Sequence, residues 1–507
     1  MKMERSKNAA RNVVFGGINK LYQILIPFVI KTAIIHFLGM QYMGLDTLFI
    51  SILQVLNLAE LGVGSAKDFS MYRPMAEGDK KKICQLMNLY KKYYRIIGII
   101  ILVVGVAILP LIPKLINDGK VPPGMNVYVL YLLNLGTTVL SYWLFAYKNS
   151  LLSAFQRNDI GSKISIITAT IKYALQFLVL FLFRNYYFYL LISLATQIIN
   201  NIVTAIVVDR IYPEYKAMGQ LPKEEVKVIN GRVKDLFTSK IGGVIVNSAD
   251  SIVISAFLGL TVLAVYNSYY YVLTSVIGFV VVIFQACTAG IGNSLLVESK
   301  EKNFNDLKKF THIIAWISGM GTACLLCLYQ PFMIMWIGEE NILAIEAVVC
   351  FCIYYFVYEI NQLLNMYKDA GGMWHEDRFR PLATAICNLV LNLILVNVIG
   401  IYGVLASTVI SMLFVGMPWL LHNLFSVMFD SGCKEYLFRL VYYSIVTAIV
   451  SAISYKVCGF VHCGGIIGFI LKLIICVTIS AILFFIFYFR MREFKEVKQM
   501  VKKILKR

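Results

Sequence analysis

Long apolar stretches alternate with short polar connections between residues 13 and 488 of this chain. Each stretch has about twenty residues or more, the length that an α-helix needs to cross the hydrocarbon core of a bilayer. About fourteen such stretches are present, at residues 13–38, 43–66, 96–116, 126–147, 164–183, 187–208, 236–258, 264–288, 310–337, 342–366, 381–398, 401–424, 437–456 and 464–489. The pattern predicts an all-α polytopic membrane protein with about 14 transmembrane helices.

The composition agrees, because 59% of the residues are hydrophobic and only 15% are charged. Nearly all of the 47 Lys and Arg residues lie at the N-terminus, in the C-terminal tail and in every second connection. The positive-inside rule therefore places both termini in the cytoplasm. The net charge of +19 would then face anionic lipid headgroups, which disfavours nucleic acid as a partner. The first stretch is too long for a signal-peptide core, so it is interpreted as the first span.

Neither metal nor nucleotide chemistry is indicated. Most of the eleven cysteines lie within spans, where a free thiol behaves as a small apolar side chain. Cys324 and Cys327 have the spacing of metal ligands, but no second pair accompanies them in the sequence, so a zinc site is not expected. Cys458 and Cys463 could form a disulfide, although free thiols are favoured. No phosphate-binding loop is present, which argues against ATP hydrolysis and against a cofactor.

The chain also repeats itself. Phe37-Leu38-Gly39 recurs as Phe257-Leu258-Gly259, at an offset of 220 residues. In spans five and eleven, Lys172 and Gln176 align with Asn388 and Asn392. Because each half has six spans, the two halves should be related by a pseudo-two-fold axis along the membrane normal. The predicted organisation is a lobe at 1–220, a second lobe at 221–425, and two further spans with a basic cytoplasmic tail at 426–507.

Charged side chains within spans are costly and are functional candidates by default. The lysines placed in spans are Lys20, Lys31, Lys172, Lys240 and Lys472. Lys20, Gln23 and Lys31 share one stripe of span one, and Lys240 and Asn247 continue the same stripe on span seven. For Lys20, Lys31 and Lys240 the alternatives of lining a cavity and extending to the headgroups stay open. Lys172 lies near the middle of span five, and this position favours the interpretation that it lines a wet interior.

Other polar side chains complete the predicted cavity. The amides placed along it are Gln23, Asn57, Gln176, Asn247, Asn388 and Asn392. Asp46, Asp250 and Glu359 could balance the lysines, bind H⁺ or Na⁺ as a coupling ion, or cap helix ends. The tyrosines of spans eight and ten, Tyr266, Tyr269, Tyr270, Tyr271, Tyr354, Tyr355 and Tyr358, could stack on sugar rings, although most are expected to pack between helices.

Several segments carry a resemblance to a known family. They are Leu58-Ala59-Glu60-Leu61-Gly62-Val63-Gly64, the segment 246–259, Asn388-Leu389-Val390-Leu391-Asn392 and Gly400-Ile401-Tyr402-Gly403-Val404. With the 14-span plan, they resemble the Wzx-type polysaccharide flippases of the MOP (multidrug/oligosaccharidyl-lipid/polysaccharide) superfamily. The resemblance implies a MATE- and MurJ-like fold whose lobes open alternately around a cationic central cavity. It also implies a non-enzymatic transporter of the bacterial cytoplasmic membrane.

The same resemblance implies the cargo, an undecaprenyl-pyrophosphate-linked oligosaccharide used in cell-surface polysaccharide biosynthesis. Its expected partners are this lipid-linked glycan, anionic lipids and other polysaccharide-assembly proteins. In related lipid II flippases the two extra helices form a groove for the polyprenyl tail. The spans of the two predicted lobes contain lysines but no arginine, so bidentate phosphate binding is not evident.

Three alternatives stay open. The chain could be a lipid II flippase, which shares the 14-span plan. A MATE-type multidrug exporter would favour twelve spans and an acidic site. A membrane glycan polymerase or ligase would need a sizeable outer loop, and the longest predicted outer connection covers only residues 113–125.

Overall fold

The computed structural model describes residues 5–60, 63–117, 121–429 and 432–505. Side chains are described for all of these residues except 5–20, 65–69, 235–236, 238–240, 247, 285–286, 289 and 500–505. Within these ranges the chain forms eighteen α-helices and no β-strand. The helices are α1 (Arg5–Phe37), α2 (Met40–Leu56), α3 (Val63–Glu77), α4 (Lys80–Ile108), α5 (Val127–Trp143), α6 (Asn149–Ala154), α7 (Asn158–Phe183), α8 (Tyr186–Ile211), α9 (Lys223–Leu258), α10 (Leu260–Val297), α11 (Lys300–Ile337), α12 (Ile345–Ala370), α13 (Arg380–Ile399), α14 (Ile401–Ser411), α15 (Met417–Val427), α16 (Cys433–Gly459), α17 (Gly465–Tyr488) and α18 (Arg492–Leu505).

All of the predicted spans coincide with helices of the structure. Among the described residues, twelve helical segments are long and apolar enough to cross a membrane, or thirteen if the bent pair α5 and α6 counts as one span. The described apolar part of α1, Leu21–Phe37, is shorter. The prediction of an all-α polytopic membrane protein is confirmed.

Several spans are interrupted where local chemistry weakens the helix. After α4, the chain tightens into a 3₁₀ segment, Leu109–Leu115, that contains Pro110 and Pro113. Proline lacks the backbone N–H that an α-helical hydrogen bond requires. Helix α5 ends at Trp143, and the chain continues at an angle of 47° in the segment Ala146–Ala154, which includes α6. Phe145 lies between them in the left-handed conformation, with φ of 60°.

The sequence repeat has a matching local structure. Gly39, between α1 and α2, has φ of 107°, and Gly259, between α9 and α10, has φ of 92°. A residue with a Cβ atom would be strained at either position. The N–H of Gly39 donates to the carbonyl oxygen of Ile34, and that of Gly259 donates to Ile254, both at 3.0 Å. The same turn therefore joins the first two helices of each predicted half.

The contacts divide the chain into two compact units, Met1–Ala264 and Val265–Arg507. In the first unit, α7 packs against α1 and α8, while α9 packs along α2 and α3. The predicted lobe boundary at residue 220 rests on the sequence repeat and stays a prediction. The contact boundary instead follows the packing of α9 within the first unit.

In the second unit, α11 is the central helix and packs against α12, α16 and α17. The C-terminal helix α18 also packs against α11. Ion pairs attach α18 to α16 and α11. Glu493 accepts a hydrogen bond from Arg439 on α16, and Glu496 pairs with Lys309 on α11 at 3.3 Å. Burial acts to raise the pKa of Glu496, but hydrogen bonds from Arg492 and Lys309 outweigh it and hold this pKa below its ordinary value.

A close backbone approach in the first unit requires glycine at position 44. A Cβ atom on Gly44 would lie 2.0 Å from the carbonyl oxygen of Leu260. We expect Gly44→Ala to destabilise the protein by about 1–3 kcal/mol, the usual cost of overpacking, because backbone must move to admit the methyl group. Thermal unfolding of the detergent-solubilised protein measures this loss.

The control is Gly136→Ala, in the interior of α5, where an added Cβ has no neighbouring atom within 4 Å. That variant should be as stable as the parent or more stable, since alanine favours a helix over glycine. Equal melting temperatures for the two variants would show that the approach at Gly44 does not constrain the fold.

Candidate functional site

A carboxylate and two lysines meet within the first unit. Lys31 lies six residues before the end of α1, Asp46 lies near the start of α2, and Lys172 lies on α7. The Gly39 turn brings α2 back beside α1, and α1 packs along α7. The ammonium groups of Lys31 and Lys172 both interact electrostatically with the Asp46 carboxylate. We call this group the Lys31–Asp46–Lys172 cluster.

Tyrosines surround the carboxylate. The hydroxyl of Tyr186, the first residue of α8, donates a hydrogen bond to Oδ1 of Asp46 at 3.0 Å. The Tyr186 ring stacks on Tyr189 with its centre 5.5 Å away, and Tyr42 packs against its edge at 5.5 Å. The Nζ atom of Lys172 lies 4.2 Å from the centre of the Tyr173 ring. A cation over an aromatic face gains about 0.5–2 kcal/mol, so this contact helps to hold the lysine in place.

The pairing of α1 with α7 fixes the two lysines. Tyr22 and Thr170 share a hydrogen bond of 2.8 Å between their hydroxyl groups, and the rings of Tyr22 and Tyr173 lie 6.5 Å apart. Nearer the helix ends, Phe37 packs edge-on against Phe177 at 6.3 Å. Polar and aromatic contacts therefore hold α1 to α7 on both sides of Lys31.

The charge of the cluster is unbalanced. Two ammonium groups face one carboxylate, and all three side chains are partly exposed. The Tyr186 hydroxyl uses one acceptor position of Asp46, and the carboxylate has others for the lysines, but its single negative charge cannot neutralise two ammonium groups. The cluster can accommodate a further anionic group, because an additional negative charge would balance the excess ammonium.

Three predicted amides form hydrogen bonds between helices. Gln176 is 1% exposed, and its Nε2 donates to the carbonyl oxygen of Tyr189 at 3.1 Å, which ties α7 to α8. Asn388 donates to Thr408 Oγ1 at 3.0 Å, and Asn392 accepts a hydrogen bond from Ser407. Both asparagines are fully buried between α13 and α14. The structure therefore gives these amides a helix-pairing role.

The other predicted residues are dispersed. Gln23 is exposed on α1, and Asn57 begins the 3₁₀ turn after α2. Asp250 is buried on α9. Glu359 on α12 is fully buried, and neither of its carboxylate oxygens has a hydrogen-bond partner among the described residues. The side chains of Lys20, Lys240 and Asn247 lie outside the described part of the structure.

The tyrosines of spans eight and ten mostly pack together. The hydroxyl of Tyr269 donates to Gln330 Oε1 at 2.9 Å, and its ring stacks on Phe351. Tyr354 and Tyr355 are buried on α12. These contacts agree with the expectation that most of these tyrosines pack between helices.

Sequence analysis missed a buried ion pair in the second unit. Arg380 donates from Nε and Nη2 to the two oxygens of Asp377, both at 2.7 Å, and also from Nη2 to Asn365 at 2.8 Å. Asn423 donates to the same carboxylate at 3.1 Å. The network ties α12, α13 and α15 together. In the sequence, this network was indicated by Asp377 and Arg380, which lie three residues apart just before span eleven.

The repeat places a related acid in the first unit. Asp159, at the start of α7, is fully buried and accepts a hydrogen bond from Arg157 Nε at 3.0 Å. Asp159 and Asp377 differ by 218 in number, which lies between the two offsets of the repeat. Arg157 and Arg380 both lie at the start of their helices, outside the predicted spans 164–183 and 381–398.

Comparison with known proteins identifies the family. The sequence profile of a family described as "Polysaccharide biosynthesis protein" matches residues 9–288, more than half of the chain. The chain belongs to this polysaccharide biosynthesis protein family. The family is one of flippases in the MOP superfamily, so its members are transporters and not enzymes. No curated protein matches the sequence significantly.

Solved structures support the fold of this family member. A lipid II flippase, MurJ, in an inward closed conformation has a TM-score of 0.65 and 16% identity, with 94% of this chain and 99% of that chain covered. An inward-facing MATE family transporter of the MOP superfamily has a TM-score of 0.61 and 14% identity, covering 82% and 99%. A Vibrio cholerae MATE transporter, VcmN, has a TM-score of 0.57 and 14% identity, covering 84% and 99%. At such low sequence identities, the similarity to these structures shows a shared fold and nothing further.

The charge coupling within the cluster can be measured. We expect Asp46→Asn to lower the melting temperature, because it leaves two ammonium groups without their counter-charge. Lys31→Met should cost less, because it leaves Lys172 and Asp46 as a balanced pair. The double variant should lose less than the sum of the two, with a coupling energy of about 0.5–3 kcal/mol for groups in contact. Thermal unfolding in detergent provides the three comparisons.

Lys163→Met combined with Asp46→Asn is the control pair. Lys163 is on the same helix as Lys172 but lies 3.9 Å from Asp159, so its effect should add to that of Asp46→Asn. Additive effects for Lys31 and Asp46 as well would mean that the two charges do not interact.

Proposed function

We propose that this protein flips an undecaprenyl-pyrophosphate-linked oligosaccharide across the bacterial cytoplasmic membrane, by alternating access, for cell-surface polysaccharide biosynthesis. Membership of the polysaccharide biosynthesis protein family supports the substrate class. The observation that carries the proposal is the net positive Lys31–Asp46–Lys172 cluster, held within mainly apolar helices.

The chemistry of the substrate explains why such a cluster is needed. A pyrophosphate diester carries about two negative charges, and moving bare charges into hydrocarbon costs several kcal/mol per ion or more. Fixed ammonium groups lower this cost, because a lysine supplies positive charge and three N–H donors. Lys31 and Lys172 would bind the pyrophosphate, and Lys20 and Lys240 are proposed to extend the same positive surface.

Asp46 has a distinct role in this proposal. Its carboxylate keeps the two lysines in place when no substrate is bound, and its single charge leaves the cluster net positive. An incoming pyrophosphate then competes with Asp46 for the ammonium groups. Release follows when the carboxylate regains its partners, so binding remains reversible, as transport requires.

Glu359 is the proposed site of a coupling ion. A fully buried carboxyl group without a hydrogen-bond partner among the described residues needs a proton or a metal cation to neutralise it. Uptake of H⁺ or Na⁺ at α12 would then link transport to an ion gradient. We favour H⁺, since a sodium ion requires several oxygen ligands.

The decisive variants lie on one helix. Lys172→Ala should reduce transport about tenfold or more, because a hydrogen bond to a charged group contributes about 1.5–3 kcal/mol. Lys172→Arg should retain part of the activity, since it keeps the charge and alters the shape. Lys163→Ala, on the same helix, should transport normally. The measurement is the fraction of fluorescent undecaprenyl-pyrophosphate oligosaccharide that an impermeant reagent can reach in proteoliposomes.

Two results would contradict the proposal. Full transport by a correctly inserted Lys172→Ala protein would remove the cluster from the mechanism. Transport of lipid II with no transport of lipid-linked oligosaccharides would identify the protein as a peptidoglycan-precursor flippase, which shares the pyrophosphate but differs in the sugar and peptide.

A further inference from the structure

Four cysteines converge in the second unit, from parts of the chain that are far apart in sequence. Cys324 and Cys327 are three residues apart on α11 and therefore share one face of that helix. Cys458 lies at the end of α16, and Cys476 lies within α17. The fold thus brings two further thiols to a pair that has no partners nearby in the sequence.

The thiols are close enough to share one ion. The Sγ atoms of Cys327, Cys458 and Cys476 all lie within 4.8 Å of one another. The Sγ atoms of Cys476 and Cys324 lie 3.9 Å apart. Bonds of about 2.3 Å from sulfur to a tetrahedral Zn²⁺ put neighbouring sulfur atoms about 3.8 Å apart. Small side-chain rotations would therefore bring the observed arrangement to a metal-bound one.

The site is shielded but can be reached. Cys327, Cys458 and Cys476 are each at most 4% exposed. A cavity of about 550 Å³ is lined by Cys327 and Cys458 and also by Lys456 and Lys472. This cavity provides a route by which an ion could enter and by which the displaced protons could leave. The Cys458 thiol also donates a hydrogen bond to the carbonyl oxygen of Lys472, at 3.5 Å.

We propose that Cys327, Cys458 and Cys476 bind a Zn²⁺ ion, with Cys324 beside them as the fourth sulfur. Sulfur ligands select thiophilic ions, of which Zn²⁺ and Cu⁺ are the principal candidates. Three thiolates with Zn²⁺ carry one net negative charge, which the Lys472 ammonium can balance, whereas Cu⁺ would leave two. Each thiol that becomes a ligand loses one proton, so binding should strengthen as pH rises.

The consequence is a crosslink between helices. Cys458 and Cys476 belong to the last two apolar helices, and Cys327 belongs to the central helix of the unit. A bound ion would fasten α16 and α17 to α11. This inference is independent of the proposed transport function.

Metal binding to the full-length protein tests the inference. The purified, reduced protein in detergent is equilibrated with buffered Zn²⁺, freed of unbound metal and analysed by elemental mass spectrometry. We expect one Zn²⁺ per chain and a higher melting temperature. Replacement by Co²⁺ should give thiolate-to-cobalt charge-transfer absorption, which reports sulfur ligands directly.

Variants locate the site. Cys327→Ser with Cys458→Ser should abolish both the bound Zn²⁺ and the cobalt absorption. Cys352→Ser is the matched control, because Cys352 is a buried thiol on α12 that lies outside the cluster. That variant should bind Zn²⁺ like the parent. The cobalt spectrum of the parent protein keeps the test decisive if the double variant does not fold.

Three outcomes would overturn the assignment. The first is the absence of bound Zn²⁺ and of the cobalt absorption in the well-folded parent protein. The second is Zn²⁺ binding that the double variant retains in full. The third is uptake of Cu⁺ without Zn²⁺ by the reduced protein.

Discussion

An ammonium group within the hydrocarbon layer costs about 2.5–3.5 kcal/mol on insertion scales, so it needs a partner or water. In the first unit, Lys31 and Lys172 share the carboxylate of Asp46, which Tyr186 holds by a hydrogen bond. One acid is enough to keep two lysines within the bundle but too little to neutralise them. The packing of α1, α2, α7 and α8 brings these groups together. The proposed affinity for a pyrophosphate follows from the imbalance of their charges.

The sequence was sufficient to predict the parts of the fold that depend on single segments. Over its described residues each predicted span is largely helical, because about twenty apolar residues can satisfy their backbone groups in a bilayer only by forming helix. The tripeptide that ends at Gly39 recurs at Gly259, and both glycines have positive φ with the same hydrogen bond, so the repeat seen in the sequence is also a repeat of backbone structure. Lys172 was a candidate because of its depth near the middle of span five, where a charge is rare, and because Gln176 and Ser165 share its helix face.

The contacts that these side chains make could not be predicted in the same way, because they depend on tertiary packing. Nothing in the spacing of Asp46 and Lys172 shows that they interact across 126 positions of the chain. Asn388 and Asn392 were expected along a cavity, yet they bond to Thr408 and Ser407 of the next helix. The four cysteines show the same limit, since the thiols that complete the pair on α11 come from α16 and α17.

The central claim is that the Lys31–Asp46–Lys172 cluster binds the pyrophosphate. Photo-crosslinking tests it most directly, with a photoreactive group beside the diphosphate of an undecaprenyl-linked oligosaccharide and mass spectrometry of the peptides from the native protein. The account predicts adducts on α1, α2 and α7 near the cluster, and competition by unlabelled substrate. Adducts confined to lipid-facing positions elsewhere, with none on these three helices, would contradict it.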